Sequence, residues 1–559
     1  MSQPRITIGS EFFRKIREEH ALYMDKTGLI EELLWNKAEV SLITRPRRFG
    51  KTLTMTMLRD FFDIRQDSRA IFEGLAIARN KELCESWMNQ YPTVFLTLKG
   101  AEGLTLDEAL YACAEIIGAL CAQHSYLYAS PHVEQRDKEM LHELESTEDK
   151  NLLAKSINTL CRALHAHYGK PVILLIDEYD VPLAKAQENG YYREMVTFLR
   201  GFLGGALKTN PSLAFAVLTG CLRISRESIF TGLNNFRCYG IDHTFFADKI
   251  GFTSADVDAL LEIYGLADKK PVVQEWYDGY RFGNNVEMYC PWDVLQYVVD
   301  AQSNPAATPR AYWNNSSGNA IIRSFVGRTD LHVAGKFETL LAGGCVEADI
   351  VEGLTYDALY DDEDSLWTLL YYTGYLTRAQ PEQMEQCGIL PGGDSTPLVI
   401  PNREVREIFT RSVASWFRDT VRKSDRTELF RMFWSGDAAE LTRLLRRQLY
   451  MTISYHDARE DFYHAFLAGM LSFSAYEVQS NRESGNGRPD ILVFDRPGKK
   501  AAILEIKHAR SYDDMEQQAQ KALRQIEERQ YASGLPRRLN TVLRYGVAFC
   551  QKECLVLRG

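Results

Sequence analysis

Residues 45–52, Arg-Pro-Arg-Arg-Phe-Gly-Lys-Thr, carry the first chemistry visible in this 559-residue chain. They follow the short β-branched run at 40–44 and precede LTMTMLRDFF, whose apolar residues recur with helical period. Strand, basic loop and helix in that order form a phosphate cradle. The unbonded N–H groups and positive dipole end of a helix start attract an anion, and glycine at 50 lets a phosphate approach the backbone closely. Arg48, Phe49, Gly50, Lys51, Thr52 and Leu53 are therefore expected to wrap a nucleotide's phosphates. Lys51 would reach the β- and γ-phosphates, and the Thr52 hydroxyl would ligate Mg²⁺. Arg45 stands where such loops usually begin with glycine, and Arg47 and Arg48 add charge where small residues are usual. A basic turn ahead of a buried helix is the structural alternative.

A second set of candidates closes the segment PVILLIDEYD at 171–180. Four consecutive large aliphatics at 173–176 describe a central buried strand, which delivers Asp177 and Glu178 to its C-terminal edge, where open α/β sheets bind ligands. Asp177 suits a Mg²⁺ site, directly or through water, and Glu178 suits the orientation and deprotonation of an attacking water. Adjacent acids after a strand also serve as helix caps. The strand LAFAVLTG at 213–220 ends near Thr219, a candidate γ-phosphate sensor, and Arg223 and Arg226 follow.

A third set lies near the C-terminus. Asp490 opens one predicted strand, and Glu505 and Lys507 close the next. Alternation puts Glu505 and Lys507 on one face with Ile506 pointing into the core. If the two strands form a hairpin, Asp490 and Glu505 can hold Mg²⁺ against a scissile phosphate while Lys507 orients water and counters developing charge. A salt bridge on an exposed strand edge is the alternative. Glu477 is a further candidate metal carboxylate and Glu460 another, although Glu460, His464 and Gln525 each read more readily as structural.

Strands alternate with helices as far as about residue 237, helices dominate 238–450, and 451–559 returns to mixed α/β, so three regions with those boundaries are expected. Hydrophobic content of 45% and charged content of 25% describe a globular chain, and no run approaches the roughly 18 apolar residues that span a bilayer. The N-terminus lacks a signal-peptide core, which places the chain in the cytoplasm. Eleven cysteines show no CxxC pair and read as reduced. A net charge of −10 argues against a general nucleic-acid coat, although residues 481–559 carry 15 Lys and Arg against 10 Asp and Glu.

RPRRFGKTLTM, LLIDEYDVPL, LTGCLRISRESIFTGLNN, WYDGYRFG at 276–283 and PWDVLQYV at 291–298 closely resemble the AAA-ATPase-like family of bacterial proteins that carry a C-terminal PD-(D/E)XK nuclease-type domain. The resemblance covers nearly the whole chain. It implies an α/β chain with an N-terminal P-loop NTPase of AAA/ASCE type built on a parallel sheet, a helical middle region, and a C-terminal restriction-endonuclease-like domain. It also implies that Arg45 is a feature of the type, with ATP and Mg²⁺ as cofactors and nucleic acid, DNA first, as partner. Asp490, Glu505 and Lys507 match the order of the nuclease motif. A nucleotide-switched binding protein with an inactive nuclease-like domain is the competing expectation, and a homo-oligomer is compatible with either.

Overall fold

The computed structural model describes residues 3–222, 230, 235–315, 333–351, 353–354, 362–390, 392–421, 427–452, 460–471, 476–480, 487–495, 497, 499–536, 539–550 and 553–559. Arg223 and Arg226 lie outside them. The chain divides into two compact units, residues 1–312 with 348–378 and residues 313–347 with 379–559.

The first unit is built on β1 (Val40–Thr44), β2 (Thr93–Thr97), β3 (Val172–Asp177), β4 (Leu213–Gly220) and β5 (Phe236–Tyr239), in the order β2-β3-β4-β1-β5. Every neighbouring pair is parallel. Parallel strands need helical crossovers that cover both faces, and β1 and β3 are accordingly buried at every position. The order inserts β4 between β1 and β3, the arrangement expected of an additional-strand NTPase. Thr44 pairs with Gly220 and Ile176 with Leu218, so the ends of β1, β3 and β4 finish together at one edge.

The same unit continues into β6 (Phe252–Thr253), β7 (Tyr280–Phe282) and β8 (Val286–Tyr289), an antiparallel sheet of order β6-β8-β7. With the helices Ser254–Ile263, Lys270–Tyr277 and Pro291–Ser303 it encloses a core containing Leu260, Val273, Tyr277, Val294 and Tyr297. Thr253 and Asp256 close a capping box at the first of these helices. The DGYRFGNN segment forms a hairpin turn, with Gly283 and Asn285 both at positive φ.

Treating 238–450 as a single helical region is corrected by this division. Residues up to 312 join the nucleotide-type sheet because Phe49 packs on Tyr280 and Phe282. Helices at the other end of the stretch join the C-terminal sheet, where the Thr442 hydroxyl accepts from Val556 N at 3.0 Å and Arg446 donates to the Cys554 carbonyl at 2.8 Å. The short strands β9 (Val346–Ala348) and β10 (Thr377–Arg378) lie where the chain passes between units, and β11 (Thr396–Val399) follows within the second unit.

The second unit carries β12 (Glu477–Ser480), β13 (Ile491–Asp495), β14 (Lys500–His508), β15 (Thr541–Cys550) and β16 (Glu553–Arg558), paired in that order. Only β14 and β15 are parallel, and the helix Met515–Glu528 connects them. Its buried Met515, Ala519, Ala522 and Ile526 recur at helical spacing. It lies so close to β15 that a Cβ on Gly546 would sit 2.2 Å from the Ala519 carbonyl oxygen, which requires glycine there. Among the described residues no helix is long and apolar enough to cross a membrane.

Candidate functional site

At the edge where β1, β3 and β4 end, Gly50 takes φ +92° and caps the helix Lys51–Phe62. A Cβ there would meet nothing within 4 Å, so the approach to the helix start is open. The Lys51 ammonium donates to the Arg45 and Pro46 carbonyls, each at 3.0 Å, and contacts the Cys221 sulfur at 3.4 Å. Thr52 Oγ1 donates to Asp177 Oδ2 at 2.8 Å, and Thr219 Oγ1 donates to Asp177 Oδ1. One fully buried carboxylate thus gathers the loop, the Asp-Glu strand end and the β4 end. Open backbone at Gly50 and a hydroxyl–carboxylate pair suit a nucleotide phosphate with its Mg²⁺.

Arg45 is not part of that cradle. Its fully buried guanidinium turns away and donates to the carbonyls of Thr44 at 2.7 Å, Tyr239 at 3.1 Å and Phe246 at 2.7 Å, with its carbon 5.3 Å from the Phe282 ring centroid. Burial pulls its pKa down to about 10, so it stays charged at neutral pH. The Arg48 side chain also leaves the cradle, donating to the Tyr312 carbonyl at 3.0 Å and stacking 4.6 Å over Trp292. Phe49 is buried against aromatic rings. Both side chains are thus engaged away from the loop's open face, and Leu53 is half-buried on the helix.

Glu178 follows β3 at φ +54°, a conformation that a non-glycine residue adopts at a cost. Burial, then the adjoining Asp177, raises its pKa above the ordinary carboxylate range, which suits a group that must accept a proton. Two residues at this edge were missed from sequence. Asp180 Oδ2 accepts from the N–H groups of Cys221 and Leu222 at 2.8 and 3.0 Å, pinning β4's exit to β3. Lys99, just past β2, pairs with Glu11 at 2.6 Å and is raised above the usual lysine range first by that bond and further by Glu178 and Asp177. The repeated acids of DEYD were a visible sign of the former. Nothing local marked the latter.

In the second unit the pairing Ile491↔Leu504 sets Asp490 opposite Glu505. Asp490 Oδ2 accepts from Ile506 N at 2.7 Å. Lys507 Nζ donates to Glu505 Oε1 at 3.1 Å, and Gln525 Nε2 donates to the same oxygen. Glu505 is buried, and its Oε2 meets no hydrogen-bond partner among the described residues. Burial, then the facing Asp490, pushes Glu505 up to about 7. An orphaned carboxylate oxygen beside a second carboxylate suits a hard divalent cation, for which Asp490 and Glu505 are the ligands present. His464 Nε2 lies 2.8 Å from the Asp490 carbonyl and fixes the turn into β13.

Glu477 requires correction as a metal ligand. It pairs with Phe494, whereas Asp490 precedes Ile491 at the opposite end of the ladder, about 13 Å away along the strand. Among the described residues no group of three or more His, Cys, Asp or Glu side chains is arranged to hold a metal. The Glu460 side chain lies outside the described residues. Gln525, read as structural from sequence, instead bonds to the central carboxylate.

Residues 7–230 match the family model of a predicted AAA-ATPase, and residues 458–558 match that of the PD-(D/E)XK nuclease superfamily. The chain thus carries an AAA-ATPase-like domain followed by a C-terminal PD-(D/E)XK nuclease-superfamily domain. It is 25% identical over 401 residues to a protein of Azotobacter chroococcum mcd 1 described as an uncharacterized protein in the vnfD 5' region, covering 69% of this chain and 66% of that relative. A solved Signal Transduction ATPase with Numerous Domains from Pyrococcus horikoshii, with a tetratricopeptide repeat sensor, is similar at 12% identity and a TM-score of 0.23. That match covers 84% of this chain and 54% of the other, a likeness too low to add structural weight.

Proposed function

We propose that the protein is a nucleotide-controlled, divalent-metal-dependent nuclease that cleaves phosphodiester bonds, with DNA as the first substrate to test. The observation that carries the reading is the convergence of Asp490, Glu505 and Lys507 in one antiparallel register. Asp490 and Glu505 would hold the metal, which supplies charge neutralisation at the scissile phosphate. Lys507 would orient the attacking water, and Gln525 would hold Glu505 in place. In the first unit, backbone from Arg48 to Leu53 would receive the phosphates, and Lys51 would exchange its loop carbonyls for phosphate oxygens. Thr52 and Asp177 would hold Mg²⁺, Thr219 would fix Asp177, and Glu178 would take the proton of the attacking water. A cytoplasmic setting and self-assembly are part of this proposal.

The test offers single-stranded, double-stranded and branched DNA and RNA to the full chain with Mg²⁺ or Mn²⁺, with and without ATP. Cleavage by wild type that disappears in the Asp490→Ala, Lys507→Ala double variant is expected; equal cleavage by the two would sink the nuclease assignment. A second reading, a nucleotide-switched protein that binds nucleic acid or a partner without cutting it, is favoured by the distance of Glu477 from Asp490 along the ladder and by the two-carboxylate site. It predicts retained nucleic-acid binding with neither a divalent-metal site nor cleavage.

A further inference from the structure

We propose that Asp180, with Tyr179 beside it, is a positioning residue of the nucleotide site: together they fix the exit of β4 and so hold Glu178 in the backbone conformation from which its carboxylate meets the attacking water. This deepens, and rests on, the reading of the first unit as an ATP-hydrolysing site with Glu178 as proton acceptor. Asp180 would act through the backbone and not on the nucleotide.

Glu178 stands at φ +54° directly after β3. Left-handed backbone at a non-glycine residue costs energy and persists only where the surroundings over-determine it. Thr219 binds the residues on both sides of Glu178: its hydroxyl donates to Asp177 Oδ1, and its carbonyl accepts from Tyr179 N at 3.1 Å. The chain then ties itself to β4's exit twice more. The buried Tyr179 hydroxyl donates to the Leu222 carbonyl at 2.7 Å, and the buried Asp180 Oδ2 accepts from Cys221 N at 2.8 Å and Leu222 N at 3.0 Å. Gly220 leaves room for both side chains, since a Cβ there would sit 2.6 Å from Tyr179 Cε1 and 2.8 Å from Asp180 Oδ1.

The far side of the same exit faces the phosphate loop. Cys221, held through its N–H by Asp180, places its sulfur 3.4 Å from Lys51 Nζ, and the Gly220 carbonyl accepts from Arg45 N at 3.2 Å. Residues 219–222 therefore touch the backbone around the proton acceptor on one side and the loop on the other. Removing the carboxylate would leave the Cys221 and Leu222 N–H groups without that acceptor, free the exit to shift, and let Glu178 relax toward ordinary backbone. A misplacement of about 1 Å can cost on the order of a hundredfold in rate. The loop backbone and Lys51 would still receive the phosphates, so the loss falls on turnover and not on affinity. The two N–H groups require an acceptor, not a charge, and an asparagine oxygen can replace the carboxylate.

The experiment compares the full chain with its Asp180→Leu, Asp180→Asn and Tyr179→Phe variants by ATP turnover with Mg²⁺, fluorescent-ATP titration, and hydrogen exchange of peptides covering 217–222. In Asp180→Leu, which fills the space without an acceptor, kcat should fall about thirtyfold or more, the nucleotide Kd should stay within about threefold of wild type, and exchange at 217–222 should quicken about tenfold or more. Asp180→Asn should recover kcat to within about fivefold of wild type, with exchange close to wild type. Tyr179→Phe keeps the ring and loses the hydroxyl, and its kcat should fall about fivefold or more at unchanged Kd; it carries the test if Asp180→Leu does not fold. Turnover in Asp180→Leu or Tyr179→Phe equal to wild type, a loss of affinity that matches the loss of turnover, or no recovery in Asp180→Asn overturns the proposal. Wild type that turns over no ATP sinks the hydrolytic reading instead, and equal exchange at 217–222 in wild type and Asp180→Leu then overturns the hold of Asp180 on the exit.

Discussion

Replacing Arg45 with glycine would bring the loop closer to the usual phosphate-binding pattern, and it should nonetheless damage the protein. The buried guanidinium donates to three backbone carbonyls, of Thr44, Tyr239 and Phe246. Bonds from a charged donor contribute about 1.5–3 kcal/mol each, so their loss removes roughly 4–9 kcal/mol. Burial offsets part of this: the fall of Arg45 from 12.5 to about 10 corresponds to about 3 kcal/mol regained once the charge is gone. Glycine adds roughly 1 kcal/mol of backbone entropy cost. The balance is a loss of roughly 2–7 kcal/mol at the junction of β1, β5 and the turn at Phe246.

Because the chain has two units, a single unfolding midpoint is ambiguous, and hydrogen exchange on the full chain is the better assay. Peptides covering 40–45 and 236–246 should exchange at least about thirtyfold faster in Arg45→Gly, with β13–β15 as the internal reference. Arg45→Lys should fall between the two, since an ammonium cannot reproduce the fork. Unchanged exchange together with tighter ATP binding in Arg45→Gly would refute the structural role and return Arg45 to being a defect in the cradle.

Other outcomes follow from the two sites. Glu178→Gln should retain nucleotide binding, measured by fluorescent-ATP titration, while turnover falls about a hundredfold or more, because the proton acceptor is lost and the shape is kept. Glu505 binds its proton more tightly folded than unfolded; its contribution is full below about 4.5 and is lost as pH rises through about 7. That rise is worth about 3 kcal/mol, so a pH series of urea unfolding should show a loss of that order across the window in wild type and none in Glu505→Gln. Gly546→Ala drives a methyl into the Ala519 carbonyl and should cost about 1–3 kcal/mol or more, read as a lowered melting temperature of the second unit.

What could be read from sequence was what local chemistry decides. The loop at 45–52 and the strand end at 177–178 announce themselves because strand, glycine and helix follow one another within a few residues. Arg45 could not be read, since two of its acceptors lie 194 and 201 residues further along the chain. Asp490 and Glu505 were legible together because a hairpin between adjacent strands has few registers that bury ILVFD. Glu477 misled for the same reason. Proximity in sequence to a turn does not say which end of the ladder a residue occupies, and four positions of register separate it from Asp490. Gln525 depended on the phase of a helix crossing over β14, which periodicity fixes only once the buried face is known. The division of 238–450 between units was likewise invisible, because apolar faces on helices do not name the surface that covers them.

The two carboxylates at the centres of the two sites are prepared in opposite ways, and this separates the ions they would attract. Asp177 has each oxygen bonded to a threonine hydroxyl, from the loop and from β4. Neutral donors hold it in place and can turn to share it with a cation without leaving a buried charge behind. Glu505 has one oxygen shared between Lys507 and Gln525 and the other without a partner, facing Asp490. It is short of positive charge, so a divalent ion there competes with a proton up to about pH 7. Binding at the second site should therefore weaken nearly tenfold for each pH unit below that value, the dependence expected when one proton must leave for each ion bound. On the proposed reading a nucleotide and a metal would act on this chain as distinguishable inputs, one received at a cradle already satisfied by its own loop and the other at a carboxylate with an unpartnered oxygen.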